Sequence, residues 1–303
     1  MQGSVMFKFI SVVLFFFSVS AHAGVSQWLG FTLDNGHIMI PVTVAGIETH
    51  AILDSGAQVN GINTAFLIKH KPKLIKGQKM LIKGVVGKER RQSYDQVPAN
   101  LFGADIKFDD VVEIRLGHHE KGMLIGAGFF ASFVVQIDYP NQKMRLVKRN
   151  IIDLPKLKNI KFQAQKGSGR PLVNIKIGEK SIWGLLDTGS TGGLLVSRSV
   201  ASRLGLLEEV ERNVVISGVN DSAFTEQATT AGVGFGPFTL DDVAVTFPAD
   251  GETLNLESQH STLGTRMRGR KVEAIIGYDV FKHFLLTIDY KGGHMHVSLP
   301  EEA

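Results

Sequence analysis

The stretches Ala51-Ile52-Leu53-Asp54-Ser55-Gly56 and Gly184-Leu185-Leu186-Asp187-Thr188-Gly189 carry one pattern twice in a chain of 303 residues. In each, a strand-like segment delivers an aspartate to an Asp-Ser/Thr-Gly turn. Such a tripeptide alone says little, because Asp and Gly populate turns for backbone reasons. Its surroundings say more. Ile38 to Val44 and the turn Ala45-Gly46 complete a hairpin before the first copy; Leu172 to Ile177 and Gly178-Glu179 do so before the second. Gly84-Val85 begins 30 residues after Asp54, and Gly218-Val219 begins 31 after Asp187. Asp109-Asp110-Val111 follows the first aspartate at 55, and Asp241-Asp242-Val243 follows the second at 54. Gly126 of Leu124-Ile125-Gly126 stands 12 residues before Asp138, and Gly277 of Ile275-Ile276-Gly277 stands 12 before Asp289. Two coincidental turns would not keep these landmarks in register, so the chain reads as a tandem duplication.

Most of each unit alternates apolar and polar residues, or forms short β-branched runs bounded by Gly, Asp or Asn, which predicts strands. Helices are few. One is expected from about Asn63 toward His70, its counterpart after Ser197, whose hydroxyl suits an N-cap, and a short one after each apolar-apolar-Gly. The fold class is therefore mainly β, as two similar lobes. Residues 24–150 form the first lobe, 151–170 the connection, with Pro155 and Gly167-Ser168-Gly169, and 171–303 the second. The second lobe carries an insertion over 248–271: Asp241 to Gly277 spans 36 positions, against 17 from Asp109 to Gly126. Its polarity and its Arg266, Arg268, Arg270 and Lys271 suggest an exposed loop, with regulation or partner docking as a hypothesis.

Composition narrows the setting. Residues 1–23 hold one charge, Lys8, then the apolar run Phe9 to Val19 and Ala21-His22-Ala23, the pattern of a cleaved signal peptide. The run is shorter than the ~20 residues of a spanning helix, so no stable membrane anchor is expected after cleavage. The expected location is periplasmic or secreted, in a bacterium. The chain has no cysteine, so stability must come from packing without disulfides. The formal charge of +4 is scattered rather than gathered on one face, which argues against nucleic acid.

These units resemble the aspartic peptidase superfamily, and tandem bacterial retropepsin-like proteins more than pepsin. The similarity covers nearly all of residues 37 to 298. In that family Asp-Ser/Thr-Gly is the active-site turn, and the apolar-apolar-Gly strand threads a psi-shaped loop beside it. The resemblance implies two retropepsin-like β-barrel lobes related by a pseudo-two-fold axis, with Asp54 and Asp187 catalytic. It implies that Ser55 and Thr188 lock the turns through their hydroxyls, and that Gly56 and Gly189 let backbone amides approach the carboxylates. It also assigns a flap over the substrate to Gly84, Val85, Val86 and Gly87 in the first lobe and to Gly218, Val219 and Asn220 in the second. Ordinary exposed hairpins are the alternative for both. Neither segment has the Tyr-Gly-Thr-Gly of pepsin, and only 13 residues separate the expected cleavage point from the first strand, so activation by acid removal of a propeptide is in doubt.

The chemistry asks for such parts independently. Cutting an amide with water needs a base for the water and an acid for the carbonyl and leaving nitrogen. Two close carboxylates cannot both ionise cheaply, so the pair holds one proton and supplies both roles; aspartic peptidases are the standard instance. No cofactor, metal or covalent intermediate is required. The implied partner is a polypeptide in extended conformation, held by strand-like pairing. A monomer with its two lobes paired internally is expected, since tethering raises the effective concentration of the second lobe; pairing between chains is the alternative. A non-catalytic peptide- or partner-binding module of the same fold is the rival function.

Other polar features read as structural. His118-His119 and the pair His294 and His296 lack a third ligand at a supporting spacing. Asp138 and Asp289 are expected as turn residues and Asp109-Asp110 and Asp241-Asp242 as hairpin tips, while Tyr94 suits a pocket lining and strand packing equally.

Overall fold

The computed structural model describes residues 24–165, 170–256 and 270–300. The expected signal segment 1–23, Gly167-Ser168-Gly169 of the connection, and 257–269 of the insertion lie outside the described residues.

Two ten-stranded sheets carry the same strand order. In the first lobe the order is Ile75–Lys83, Lys88–Asp95, Val111–Ile114, Gly61–Asn63, Lys121–Ile125, Ile47–Leu53, His37–Val44, Val97–Leu101, Ala104–Phe108, with Thr32–Asp34 as the tenth strand, paired to His37–Val44. In the second it is Arg212–Ser217, Ser222–Thr230, Val243–Pro248, Leu194–Val196, Ala274–Ile276, Lys180–Leu186, Pro171–Ile177, Val233–Phe235, Phe238–Leu240. Each sheet thus repeats the other strand for strand, as the sequence landmarks require. Phe162–Ala164, within the expected connection, pairs with Pro171–Ile177 and so belongs to the second sheet.

The strands before and after each aspartate do not pair with one another. Lys121–Ile125 lies between them, parallel to Ile47–Leu53 and antiparallel to Gly61–Asn63. Ala274–Ile276 lies likewise between Lys180–Leu186 and Leu194–Val196. The residues after each aspartate must therefore cross the end of the inserted strand. They cross against its glycine: a Cβ on Gly126 would lie 2.7 Å from the Val59 carbonyl oxygen, and one on Gly277 2.5 Å from that of Gly192. Helices follow where capping allows. The Asn63 side chain accepts the Ala65 amide at the head of Thr64–His70, and the Ser197 hydroxyl accepts that of Val200 at the head of Arg198–Leu204. Ala127–Ser132 and Tyr278–Phe281 follow the two glycines as expected.

A five-stranded sheet joins the lobes, in the order Leu29–Gly30, Lys143–Val147, Val134–Asp138, Leu285–Asp289, His294–Ser298. Its central pair runs antiparallel with Val135 opposite Ile288 and Ile137 opposite Leu286. Above it one apolar core is continuous through both lobes, and aromatic rings cross the boundary: Phe130 stacks on Tyr290 at 5.3 Å, and Tyr139 meets Phe281 at 5.9 Å. Burial on this scale, at roughly 25 cal/mol per Å² of apolar surface, fixes the lobes together without disulfides.

Two expectations are corrected. Asp109-Asp110 and Asp241-Asp242 are not hairpin tips, because Ala104–Phe108 pairs with Val97–Leu101, and Phe238–Leu240 pairs with Val233–Phe235. The strands following these aspartates cross away to other partners, Val111–Ile114 to Gly61–Asn63 and Val243–Pro248 to Leu194–Val196. Asp110 and Asp242 take positive φ at those crossings, and Asp109 and Asp241 accept the amides of Gln96 and Gly232. Nor is the insertion simply an exposed loop. Leu256 is 5% exposed and packs with Leu172, Leu185, Val272 and Ile275. By contrast Asp138 and Asp289 are turn residues as expected, accepting the amides of Asn141 and Gly292.

Candidate active site

Each strand that ends in an aspartate is extended by the neighbouring psi strand: the Asp54 amide donates to the Ile125 carbonyl at 2.9 Å, and the Asp187 amide to that of Ile276 at 3.0 Å. The turn then folds back on its own carboxylate. Asp54 Oδ1 accepts the amides of Gly56 at 2.9 Å and Ala57 at 2.8 Å, and Asp187 Oδ1 accepts that of Gly189 at 2.9 Å. Both side chains are thereby aimed at the same point between the lobes.

The two turns interlock there. Thr188 Oγ1 accepts the Ser55 amide at 3.0 Å and donates to the Leu53 carbonyl at 2.7 Å; Ser55 Oγ accepts the Thr188 amide at 2.9 Å and donates to the Leu186 carbonyl at 2.6 Å. Ser55 and Thr188 are almost fully buried, so these four bonds are shielded from water. Behind the lock, each glycine faces the opposite carboxyl. A Cβ on Gly56 would stand 2.4 Å from Asp187 Cγ, and one on Gly189 2.4 Å from Asp54 Cγ. No residue larger than glycine fits either position without parting the acids.

The carboxyls lie close enough to couple to one another. Both are half-buried. Burial pushes Asp54 well above the usual carboxylate range and the charge of Asp187 adds to it, against the amides of Ala57 and Gly56. Burial raises Asp187 too, while its interaction with Asp54, the Gly189 amide, Arg170 and His37 favour its ionised form. Both carboxyls are therefore raised, and the pair holds one proton between them.

Sequence reasoning missed His37 and Arg170, although each stands 17 residues before its aspartate. His37 bridges the lobes, Nε2 at 3.1 Å from the Gly189 carbonyl oxygen and Nδ1 at 3.2 Å from that of Asp34. Arg170 is 2% exposed and donates to Gln165 Oε1. Aligning the two units backward from the aspartates finds both.

The segments expected as flaps are the turns of two hairpins, closed by the Gly84 amide on the Gly87 carbonyl at 3.1 Å and the Gly218 amide on that of Asp221 at 2.8 Å. Their tips meet each other. Asn220 Nδ2 donates to the Ile82 carbonyl at 3.1 Å, and Arg91 donates to Asn220 Oδ1 at 3.2 Å and to the Val219 carbonyl at 3.1 Å. Val85 and Val219 each pack on an apolar cluster of the opposite lobe, while Val86 is half-buried. Arg91 had no sequence signal, being one cation in a strand of charged residues.

A separate depression of about 860 Å³ lies on the outer face of the first lobe, lined among others by Val42, His50, Phe102 and Glu120; neither aspartate reaches it. Among the described residues no group of three His, Asp or Glu is placed to hold a metal, and His296 is directed at the Leu157 carbonyl.

No curated protein matches the chain. Residues 173–280, from the hairpin before Asp187 to the helix after Gly277, match the family model described as aspartyl protease. The second lobe is thus similar to the aspartyl protease family, and the first lobe repeats its strand order.

Proposed function

We propose that the chain is an aspartic endopeptidase that hydrolyses peptide bonds with a water activated between Asp54 and Asp187. The observation that carries this reading is the mutual contact of the two turns, in which the glycine of one lies on the carboxyl of the other. The ionised member of the pair takes the proton of the attacking water. The protonated member, kept so by burial and by its partner's charge, polarises the scissile carbonyl and gives its proton to the leaving nitrogen. The pair titrates as a unit, so activity follows a bell-shaped pH profile set by two macroscopic constants.

The substrate is a polypeptide in extended conformation. It enters beneath the hairpin turns at Gly84 to Gly87 and Gly218 to Asn220, which must part to admit it and then close, as mobile flaps do. The working form is a monomer exported by its signal segment and released into the periplasm or medium. The test is incubation of the mature protein with a diverse peptide library across pH 3 to 8. Cleavage between internal residues, with a bell-shaped pH dependence, supports the reading. Peptide binding without cleavage at any pH would favour a binding module of the same fold instead.

A further inference from the structure

The two halves of the cleft are not equivalent, and the difference traces to the insertion. In the first lobe an apolar cluster beside Asp54 is formed by Ala57, Ile82, Val112, Ile114 and Leu124, with Val219 of the opposite hairpin upon it. Val112 and Ile114 come from one face of Val111–Ile114. The matching strand of the second lobe, Val243–Pro248, turns Val243, Val245 and Phe247 into the main core, leaving Ala244 and Thr246 on the other face. That lobe therefore has Ala and Thr where the first has two branched apolar side chains.

The insertion supplies the replacement. Leu256 is buried against Leu185 and Ile275, which stand two residues before Asp187 and Gly277, and Leu254 packs on the same cluster with Val85 of the opposite hairpin. Between the leucines, the Asn255 amide donates to the Val85 carbonyl at 2.8 Å and its side-chain amide to the Gly84 carbonyl at 3.2 Å. Arg170 donates to the Leu256 carbonyl. Where the insertion returns, Arg270 lies over the ring of Trp183 at 4.4 Å and Val272 joins the cluster. The first hairpin tip thus rests on the insertion, whereas the second rests on Arg91 and Ile82 of the first lobe.

We propose that Leu256, with Leu254, is the specificity-determining wall of the second lobe's side-chain pocket, and that Asn255 positions the first hairpin over it. This rests on the peptidase reading. Peptide side chains on the two sides of the scissile bond then meet unequal pockets: one walled by the sheet, the other by a segment outside the repeat. The substrate class is a peptide read in one direction, with size selection at one flanking position set by Leu256.

The experiment measures kcat/KM for a peptide series varied through Ala, Val, Leu and Phe at each position flanking the cleavage point, for the wild type, Leu256→Ala and Asn255→Ala. Deleting most of a pocket-wall side chain is worth about tenfold or more in discrimination. Leu256→Ala is expected to shift the Phe-to-Ala ratio toward Phe by about tenfold at one position and leave the other unchanged. Asn255→Ala is expected to raise KM across the series without altering preference. Because Leu256 is buried, Leu256→Val and Leu254→Ala accompany it, with smaller shifts at the same position and thermal melting to verify the fold. Unchanged preference in all three leucine variants, or equal change at both positions, overturns the inference and leaves the peptidase reading intact. A uniform rise in kcat/KM also overturns it, by making the segment a removable plug. If the wild type neither cleaves the series nor binds statine-containing analogues by calorimetry, both readings fall together.

Discussion

The backbone amides of Ser55 and Thr188 donate to each other's hydroxyls, at 3.0 and 2.9 Å, so each active-site turn is capped by the turn of the other lobe. Neither turn can complete its hydrogen bonds alone. Thr188→Val keeps the shape but strands the buried Ser55 amide and Leu53 carbonyl, at about 1–3 kcal/mol for each group left unpaired. Urea denaturation is expected to report that loss, and Thr188→Ser to recover most of it.

Asp54→Asn is expected to stabilise the fold at neutral pH. The folded-state carboxyl is raised above its unfolded value, so the native state binds more protons between the two values. Stability therefore falls as pH rises from the unfolded pKa through the folded one, and stays lowered at pH 7. Melting curves of wild type and variant should separate by a few degrees at pH 7 and converge toward pH 3. A variant less stable than the wild type at pH 7 would contradict the sign.

How much of this was legible follows from what kind of pattern each part leaves. The hairpins, the psi strands and the turn at each aspartate are local periodicities with Gly, Asp or Asn at their ends, and reading them twice in register fixed the fold class. Asn63 and Ser197 announced their helices because a cap is a local hydrogen bond. Asp109-Asp110 and Asp241-Asp242 misled because a turn residue does not say where the next strand will pair. Arg91 and Asn255 were invisible for the same reason. Their partners, Val219 and Val85, are more than a hundred residues away, and polar side chains in a charged strand or an insertion carry no period.

Tyr139 and Tyr290 occupy matching places at the ends of the two central strands, each buried with a hydroxyl that lacks a hydrogen-bond partner. Burial pushes both phenols above their ordinary range, so neither ionises in service. Removing an unsatisfied polar atom while keeping the ring is close to neutral or favourable. Tyr139→Phe is expected to melt at or slightly above the wild-type temperature, with kcat within about twofold; calorimetry and steady-state kinetics check both.

Arg91 holds the second hairpin tip through Asn220 and the Val219 carbonyl. Arg91→Ala is expected to speed amide hydrogen exchange at residues 218–221 and 84–87 together, because the tips rest on each other. Its kinetic mark should be a raised KM with a smaller change in kcat. Faster exchange confined to residues 88–95 would show that the tips are independent.

The central claim is that two carboxyls perform one reaction. The direct measurement is kcat on a cleaved peptide for Asp54→Asn, Asp187→Asn and the double variant, each verified as folded. Loss of one member of an acid–base pair removes about 10²–10⁴-fold or more. The account predicts that either single change loses nearly as much as both together, because the remaining acid has no partner for the proton. A single variant with near-normal turnover, or losses that multiply in the double variant, would contradict it.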